Sequence, residues 1–123
     1  MLAYLDSSLI LDDAFEDRPV LAELFQRVDV ATSQITSVEI ARTLRREAPD
    51  SELTNVPAEL LRGIDLVHVS TDVLETAATL PVRFLRALDA IHVASALLVR
   101  ADVVFTRDRQ MQRACEELGL AVA

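Results

Sequence analysis

The sequence has no lysine, one cysteine and only two glycines in 123 residues. Because all 12 basic residues are arginines, any mechanism that requires a lysine amine is excluded. A single cysteine, Cys115, can form neither an internal disulfide nor a cysteine-based zinc site. Hydrophobic residues make up 51% of the chain, which together with the scarcity of glycine favours a compact, helix-rich globule over a disordered chain.

Long apolar runs are also missing. No uncharged apolar run reaches the roughly 18 residues that a membrane helix needs. The first residues, MLAYLDSS, lack the basic start of a secretory signal, and Asp6 stands where such a signal is apolar. We therefore expect a cytoplasmic protein without a membrane anchor. The length suits one domain, which we expect to span residues 1–123.

Positive charge is scarce as well, since the net charge is −8 at pH 7. This balance argues against bulk electrostatic attraction to nucleic acid or to an anionic membrane. If the protein acts on a nucleic acid, a local source of positive charge has to compensate for the surplus of acidic side chains.

What the chain does contain is a regular alternation of strand-like and helix-like segments. Strands are predicted at residues 2–5, 28–33, 64–70 and 102–106, with 120–122 as a candidate fifth. Helices are predicted at residues 8–15, 19–28, 36–47 (capped by Thr36 or Ser37), 71–80, 85–99 and 108–119, with a loop at 48–57. This order predicts an α/β domain with a parallel sheet of about four to five strands and helices on both faces.

Acidic residues stand at the junctions where such a sheet binds its ligands, beyond the carboxyl ends of the strands. Asp6 directly follows the first predicted strand, and Asp108 follows the fourth. Asp89 opens an almost wholly apolar helix, and Glu39 lies in the first turn of the helix at 36–47. Taken singly, each acid also suits a helix cap or a partner of the helix dipole.

Taken together, four carboxylates from separate elements would repel one another strongly in one pocket unless a cation neutralised them. Oxygen ligands without cysteine or paired histidine favour Mg²⁺ or Mn²⁺ over Zn²⁺. Such an ion can activate water for attack on a phosphodiester, and it supplies positive charge locally. Arginines can hold phosphates in a bidentate manner. The candidates near the acids are Arg42, Arg46, Arg83, Arg86, Arg107 and Arg109.

Four segments, in this order, resemble the PIN-domain ribonucleases and, among them, the VapC toxins of toxin–antitoxin pairs. They are YLDSSLIL, TSVEIART, LRALDAIHVASAL and VVFTRDRQMQRACEELGL, and together they extend over nearly the whole chain. The resemblance implies a PIN-like fold and a metal-dependent endoribonuclease that cleaves transfer or ribosomal RNA and thereby inhibits translation. It also implies Mg²⁺ or Mn²⁺ as cofactor, a VapB-like antitoxin as partner, and a homodimer.

The resemblance assigns roles residue by residue. The catalytic and metal-binding acids are then Asp6, Glu39, Asp89 and Asp108, with Ser8 and Thr106 as polar supports. His92 matches a position that is commonly histidine in this family, and we assign it no catalytic role. The arginines that we expect to contact substrate are Arg42, Arg46, Arg86 and Arg107.

Other classes of protein match the sequence less well. A receiver domain needs an acidic pair after the first strand and a late lysine, whereas here a single Asp6 follows and lysine is absent. A HAD-type phosphatase needs Asp-x-Asp at that point, and DSS lacks the second acid. The stronger alternative is a catalytically weak PIN-fold module that acts mainly by binding its antitoxin or another partner, for which SLILDDAF and PVLAELF offer an apolar surface.

Overall fold

The computed structural model describes residues 1–15, 20–48 and 56–123. Its four named strands are β1 (Leu2–Leu5), β2 (Asp29–Ser33), β3 (Asp65–Val67) and β4 (Val103–Phe105). The helices in these ranges are α1 (Ser7–Phe15), α2 (Val20–Arg27), α3 (Thr36–Glu47), α4 (Val56–Leu60), α5 (Thr71–Thr79), α6 (Ala87–Leu98) and α7 (Arg109–Glu117). Within the described ranges, no helix is long and apolar enough to cross a membrane.

The strands form one parallel sheet with the order β3-β2-β1-β4. Ala3 of β1 is aligned with Val30 of β2 on one side and with Val103 of β4 on the other. Because every strand runs in the same direction, all carboxyl ends meet at one end of the sheet, which we call the carboxyl end. The predicted α/β class with a parallel sheet is confirmed.

Helices cover both faces of the sheet, as predicted, and the side chains of β1 show this most directly. Tyr4 and Leu5 are fully buried and point to opposite faces, since side chains alternate along a strand. Leu5 packs in a cluster with Ile10 of α1. Tyr4 packs in a second cluster with Val93 of α6 and Met111 of α7. The sheet is therefore the middle layer between two apolar cores.

β3 is shorter than the predicted strand at 64–70, because side-chain oxygens accept hydrogen bonds from backbone N–H groups that follow Val67. The Oε1 atom of Gln34 accepts a hydrogen bond from Val69 N at 3.4 Å. Ser70 leaves the extended run to cap α5, and its Oγ accepts from Val73 N at 3.2 Å. A side-chain amide and a helix cap thus end the strand at Val67.

The predicted cap of α3 by Thr36 or Ser37 is wrong. Ile35 occupies the N-cap position and makes no side-chain capping hydrogen bond. Thr36 is fully buried, and its Oγ1 lies 2.7 Å from Oγ1 of Thr32, which donates to the carbonyl of Leu5 at 2.6 Å. The hydroxyl that was expected to cap the helix instead connects α3 to the ends of β1 and β2.

Two predicted boundaries meet the limits of the described residues. The predicted helix at 19–28 is seen as α2, and its first residue, Pro19, lies outside the described residues. Most of the predicted loop at 48–57 also lies outside them, since residues 49–55 are not described. Its last two residues belong to a helix, because α4 begins at Val56.

The apolar helix and the chain end also differ from the predictions. α6 begins at Ala87 rather than at residue 85, because Arg86 is extended and occupies the N-cap position. Residues 120–122 do not form a full strand. Val122 makes one isolated parallel bridge to Val104, so this segment adds a single pairing at the outer side of β4.

Candidate metal centre at the carboxyl end of the sheet

Asp6 is the buried centre of the carboxyl end. It follows β1 directly and is only 4% exposed. Its Oδ1 accepts hydrogen bonds from Ser8 Oγ at 2.8 Å and from Leu9 N at 3.1 Å, so it caps α1. Its Oδ2 accepts from Thr106 Oγ1 at 2.5 Å. The two residues expected as polar supports thus both contact Asp6.

Asp108 stands beside this group at the end of β4. It is the N-cap of α7, and its Oδ1 accepts from Gln110 N at 2.8 Å and from Met111 N at 3.1 Å. Its own N–H donates to Thr106 Oγ1 at 3.1 Å. Thr106 therefore connects the two acids, with its hydroxyl donating to one and accepting from the backbone of the other.

Glu39 reaches the carboxyl end from the first turn of α3 and is held there by a buried histidine. Its Oε1 lies 2.6 Å from Nε2 of His92, whose side chain is 1% exposed while that of Glu39 is 23% exposed. A carboxylate oxygen only accepts, so Nε2 carries the proton. The other ring nitrogen, Nδ1, forms a hydrogen bond with the hydroxyl of Tyr4 at 2.8 Å.

Tyr4 keeps its proton in this arrangement. Burial raises the pKa of its phenol far above the ordinary value of 10.0, and the negative charges of Glu39 and Asp6 raise it further. The phenol is therefore uncharged at any pH at which the protein functions. A series of hydrogen bonds runs from β1 through α6 to the carboxylate on α3.

Asp89 lies in the first turn of α6 and is half-buried. In contrast to Asp6, it has no hydrogen-bond partner in the described part of the chain. Burial is the largest cause that raises the pKa of Asp89 above 3.8, and the charge of Asp108 is the next. Glu39 and Asp6 raise it too, whereas His92 lowers it. The four acids therefore form one electrostatic cluster.

The arginines lie around this cluster rather than within it. Arg107 Nη1 is 3.2 Å from Asp12 Oδ2, in a pair whose side chains are about two-fifths exposed. Arg86 is exposed at the N-cap position of the helix that carries Asp89. Exposed arginines also occupy positions next to the acids in sequence or just before α6; they are Arg83 and Arg109.

Two further arginines share α3 with Glu39. Arg42 follows it by three residues and is exposed, so both lie on neighbouring positions of one helix face. Arg46 is about two turns away, roughly 10 Å along the helix axis. Its Nε is 3.6 Å from Oε1 of Glu47. Arg42 is therefore better placed than Arg46 to meet a ligand of the cluster.

The chemistry of these acids fits a divalent cation, although their present side-chain positions do not converge. Hard carboxylate oxygens are the ligands that Mg²⁺ and Mn²⁺ prefer. Burial, and after it the charges of the neighbouring acids, raise the pKa of Asp89, so the charged form of this carboxyl is disfavoured without a cation. In the described ranges, no three histidine, cysteine, aspartate or glutamate side chains are grouped so that they could hold one ion. Binding would therefore require the half-buried side chains to rotate inward.

Tyr4 is the participant in this region that sequence reasoning missed. Nothing in LAYL distinguishes it from an ordinary core residue of a buried strand. Its partner His92 is 88 residues away in sequence, so only the fold brings them together. The spacing of Asp89 and His92, one helical turn apart, was the visible part of the arrangement.

The fold agrees with a comparison of the chain with known families. The PIN-domain family profile matches residues 3–117. The chain belongs to the PIN-domain family. This assignment removes the receiver-domain and phosphatase alternatives. No curated protein matches the chain significantly.

Solved structures of PIN-domain proteins share the fold of this PIN domain at low sequence identity. VapBC2 from Rickettsia felis, bound to a DNA fragment from its promoter, matches with a TM-score of 0.72 at 14% identity, over 100% of this chain and 98% of that one. VapBC-1 from Haemophilus influenzae gives 0.73 at 18%, over 100% and 97%. VapC20 from Mycobacterium tuberculosis, a toxin that cleaves the sarcin-ricin loop, gives 0.68 at 20%, over 91% and 94%.

Proposed function

We propose that this PIN domain is the toxin of a toxin–antitoxin pair and a metal-dependent endoribonuclease. Its substrate is RNA of the translation machinery, transfer or ribosomal RNA, and cleavage there inhibits translation in the cytoplasm. VapC20, which has the same fold, cleaves the sarcin-ricin loop, which supports this choice of substrate. Two other structures with this fold are VapBC assemblies, which supports a VapB-like antitoxin as the partner.

The observation that carries the proposal is the placement of four acids at the carboxyl end of the sheet. Asp6 follows β1, Asp108 follows β4, and Glu39 and Asp89 lie in the first turns of α3 and α6. The charges of Asp108, Glu39 and Asp6 also raise the pKa of Asp89, after burial as the largest cause. Such a concentration of negative charge is unfavourable unless a bound cation compensates for it.

The residues that would hold Mg²⁺ or Mn²⁺ are Asp6, Glu39, Asp89 and Asp108. A bound divalent ion supplies two things: a water with a lowered pKa and compensation of the phosphate charge. Asp6 serves as the fixed ligand, because Ser8, Leu9 and Thr106 hold its carboxylate in place.

The arginines of the rim would hold the phosphates that flank the scissile bond. Arg42 lies one turn after Glu39, Arg86 occupies the N-cap of the helix that carries Asp89, and Arg107 precedes Asp108, whereas Arg46 is set further along α3. Guanidinium groups bind phosphate oxygens in a bidentate manner, so a few suffice to orient a strand on a protein of net charge −8.

The partner surface is proposed on α1 and α2. Phe15 is 65% exposed and Phe25 is 41% exposed, which is unusual for side chains of this size. Apolar side chains of these helices would pack against the antitoxin or against a second copy of the chain in a homodimer. The same surface would suffice for the alternative function, a binding module with weak catalysis.

The test is cleavage of a structured RNA pool, containing transfer and ribosomal RNA, by the purified, antitoxin-free protein. Reactions contain Mn²⁺, Mg²⁺ or EDTA. Asp89→Asn is the inactivating variant. Asp65→Asn is the matched control, since it makes the same change of charge at the exposed start of the edge strand β3. We expect cleavage by the wild-type and Asp65→Asn proteins in either metal.

Asp89→Asn should lower the cleavage rate more than about 100-fold, because even outer residues that orient metal ligands cost about 10–100-fold. Cleavage that persists in EDTA or in Asp89→Asn would contradict the metal-dependent nuclease. Folded wild-type protein that binds Mn²⁺ but leaves the whole pool intact would favour the binding module. Expression in cells gives a parallel readout, in which arrest of growth should require Asp89.

A further inference from the structure

We propose that Tyr4 and His92 are positioning residues that hold the carboxylate of Glu39 ready for the metal ion. The inference rests on the proposed function, since it assigns a role within the same site. It rests on three observations: a buried phenol, a buried imidazole and a carboxylate at the rim, joined in series by hydrogen bonds.

Tyr4, His92 and Glu39 form a series of hydrogen-bonded side chains. Tyr4 is completely buried in β1, and His92 is 1% exposed in α6. The phenol oxygen lies 2.8 Å from Nδ1, and Nε2 donates to Oε1 of Glu39 at 2.6 Å. The Tyr4 and His92 rings lie edge to face, at an interplanar angle of 70°. Both nitrogens of the imidazole are therefore engaged, and the ring cannot rotate without breaking a bond at each side.

The hydrogen bond from His92 restricts the carboxylate of Glu39. A free glutamate on a helix surface samples several rotamers, and ordering it costs side-chain entropy. His92 binds Oε1 only, and Oε2 has no hydrogen-bond partner among the described residues. One oxygen is thus anchored while the other remains available. An anchored ligand loses less entropy when an ion binds, so the ion binds more tightly.

His92 shares its helix with another of the acids, Asp89. Asp89 and His92 are three residues apart and share one face of α6. The same helical face therefore presents one carboxylate directly and orients a second one through the imidazole. A purely structural histidine would need only satisfied nitrogens, for which the backbone carbonyls around it would serve. Here it instead selects the side chain of another helix.

The experiment uses the full chain and four variants. His92→Leu removes both hydrogen bonds at similar volume. His92→Gln keeps an amide donor towards Glu39, and Tyr4→Phe removes only the phenol. Val93→Ala is the control for stability, since Val93 is the buried neighbour of His92 and belongs to the apolar core. For each protein, the Mn²⁺ dissociation constant and the urea midpoint are measured.

We expect His92→Leu to weaken Mn²⁺ binding about 10–100-fold, as changes in residues that orient metal ligands do. His92→Gln should recover much of this loss, and Tyr4→Phe should show a smaller loss. Val93→Ala should lower the urea midpoint without weakening Mn²⁺ binding. Equal Mn²⁺ affinity in wild type and His92→Leu would overturn the proposal, as would a parallel loss of affinity in Val93→Ala.

A double-mutant cycle identifies the route of the effect. In a Glu39→Gln background, His92→Leu should cause no further loss of Mn²⁺ affinity, because the residue through which it acts has already been changed. Additive losses would mean that His92 acts by another route, and the proposal would fail. Nitrogen NMR of the imidazole adds a spectroscopic check in the metal-free protein. Nε2 should carry the proton and Nδ1 should not, and the reverse would contradict the series.

Tyr4 offers one more readout, because the chain contains a single tyrosine and no tryptophan. Near-ultraviolet absorbance therefore reports on this phenol. Mg²⁺ should perturb the tyrosine band of the wild type, and His92→Leu should abolish that change even at saturating Mg²⁺. If the wild type neither binds Mn²⁺ nor cuts RNA, the proposed function itself fails. If it does both and the His92 variants match it, only the positioning role fails.

Discussion

Asp6 and Asp89 lie at the same end of the sheet, yet the protein treats the two carboxylates in opposite ways. Asp6 is 4% exposed and accepts hydrogen bonds from Ser8, Leu9 and Thr106. Asp89 is half-buried without a described donor, and its surroundings raise its pKa. One carboxylate is stabilised in its charged form by the fold, and the other is not.

The difference teaches that the candidate site is only half-built by the chain itself. The donors around Asp6 hold the carboxylate that is proposed as a metal ligand in one position. Around Asp89, burial and the charges of the other acids both disfavour the charged form, which a proton or a cation would relieve. Asp89, whose charged form is disfavoured, would give the site its affinity for a metal ion. Asp6, which is held by its donors, would give the ion a defined position.

The largest effect on stability is expected from removing the side chain of Asp6. Asp6→Ala leaves a backbone amide and two hydroxyls without their acceptor and removes the cap of α1. We expect the free energy of unfolding to fall by about 3 kcal/mol. Urea denaturation in EDTA measures this value. Asp89→Ala in the same buffer should show no comparable loss, and equal losses would remove the distinction between the two acids.

Adding Mg²⁺ should reveal the contribution of Asp89 to stability. A ligand that binds only the folded state at about 100 times its dissociation constant stabilises it by about 2.7 kcal/mol. We expect this gain for the wild type in Mg²⁺ and a much smaller one for Asp89→Asn. Thermal melts over a series of Mg²⁺ concentrations provide the measurement. A full gain in Asp89→Asn would show that Asp89 takes no part in binding.

A smaller effect concerns pH in the absence of metal. The pKa of Asp89 is higher in the folded state than its ordinary value of 3.8, so the folded state binds more protons than the unfolded state between these two values. Ionised Asp89 therefore destabilises the fold at neutral pH, and this destabilisation is relieved as the pH falls through the raised pKa.

Asp89→Asn should accordingly melt at a higher temperature than the wild type at pH 7 in EDTA. The difference should vanish at a pH below 3.8, where the wild-type carboxyl is protonated in both states. Asp65→Asn, at the exposed start of β3, serves as the control for the loss of one negative charge. A lower melting temperature of Asp89→Asn at pH 7 would show that the acid is stabilised by contacts after all.

The smallest effect is expected at the opposite end of α6. Arg100 has a φ of 56°, a left-handed conformation that costs a residue with a side chain about 1–2 kcal/mol. Glycine avoids this strain but loses more chain entropy, so Arg100→Gly should stabilise the fold by about 0.5 kcal/mol. Urea midpoints would reveal it. The gain should be the same with and without Mg²⁺, since Arg100 lies away from the carboxyl end.

Much of the architecture could be predicted because its causes are local. Apolar runs such as LAYL bury a strand, and alternation with amphipathic helices requires parallel pairing. Asp6 and Asp108 could be placed at the carboxyl end from this order alone, since Asp6 directly follows a strand and Asp108 comes shortly after one. The family assignment confirms the resemblance that these segments show. The metal-binding roles of the acids stay predictions that the variants above test.

The rest depended on contacts between distant segments. The buried environment of Thr36 is created by the ends of β1 and β2, so its sequence neighbours gave no sign that its hydroxyl would turn away from the cap. The end of β3 is set by Gln34, which lies about 30 residues earlier in the chain. The pairing of Tyr4 with His92 likewise appears only once the sheet and α6 have been assembled.

The bridge between Val104 and Val122 has a consequence for assembly. An uncovered strand edge is a template for another chain. Along β4, Val104 N donates to Ala121 O at 2.8 Å and Ala123 N donates to Val104 O at 3.0 Å, so these backbone groups are already occupied. In the described ranges, β3 has no second neighbour on its outer side and carries the half-exposed Leu66. Among the described residues, a further strand would therefore compete with the chain's own end at Val104 of β4, and would meet no such competitor along β3.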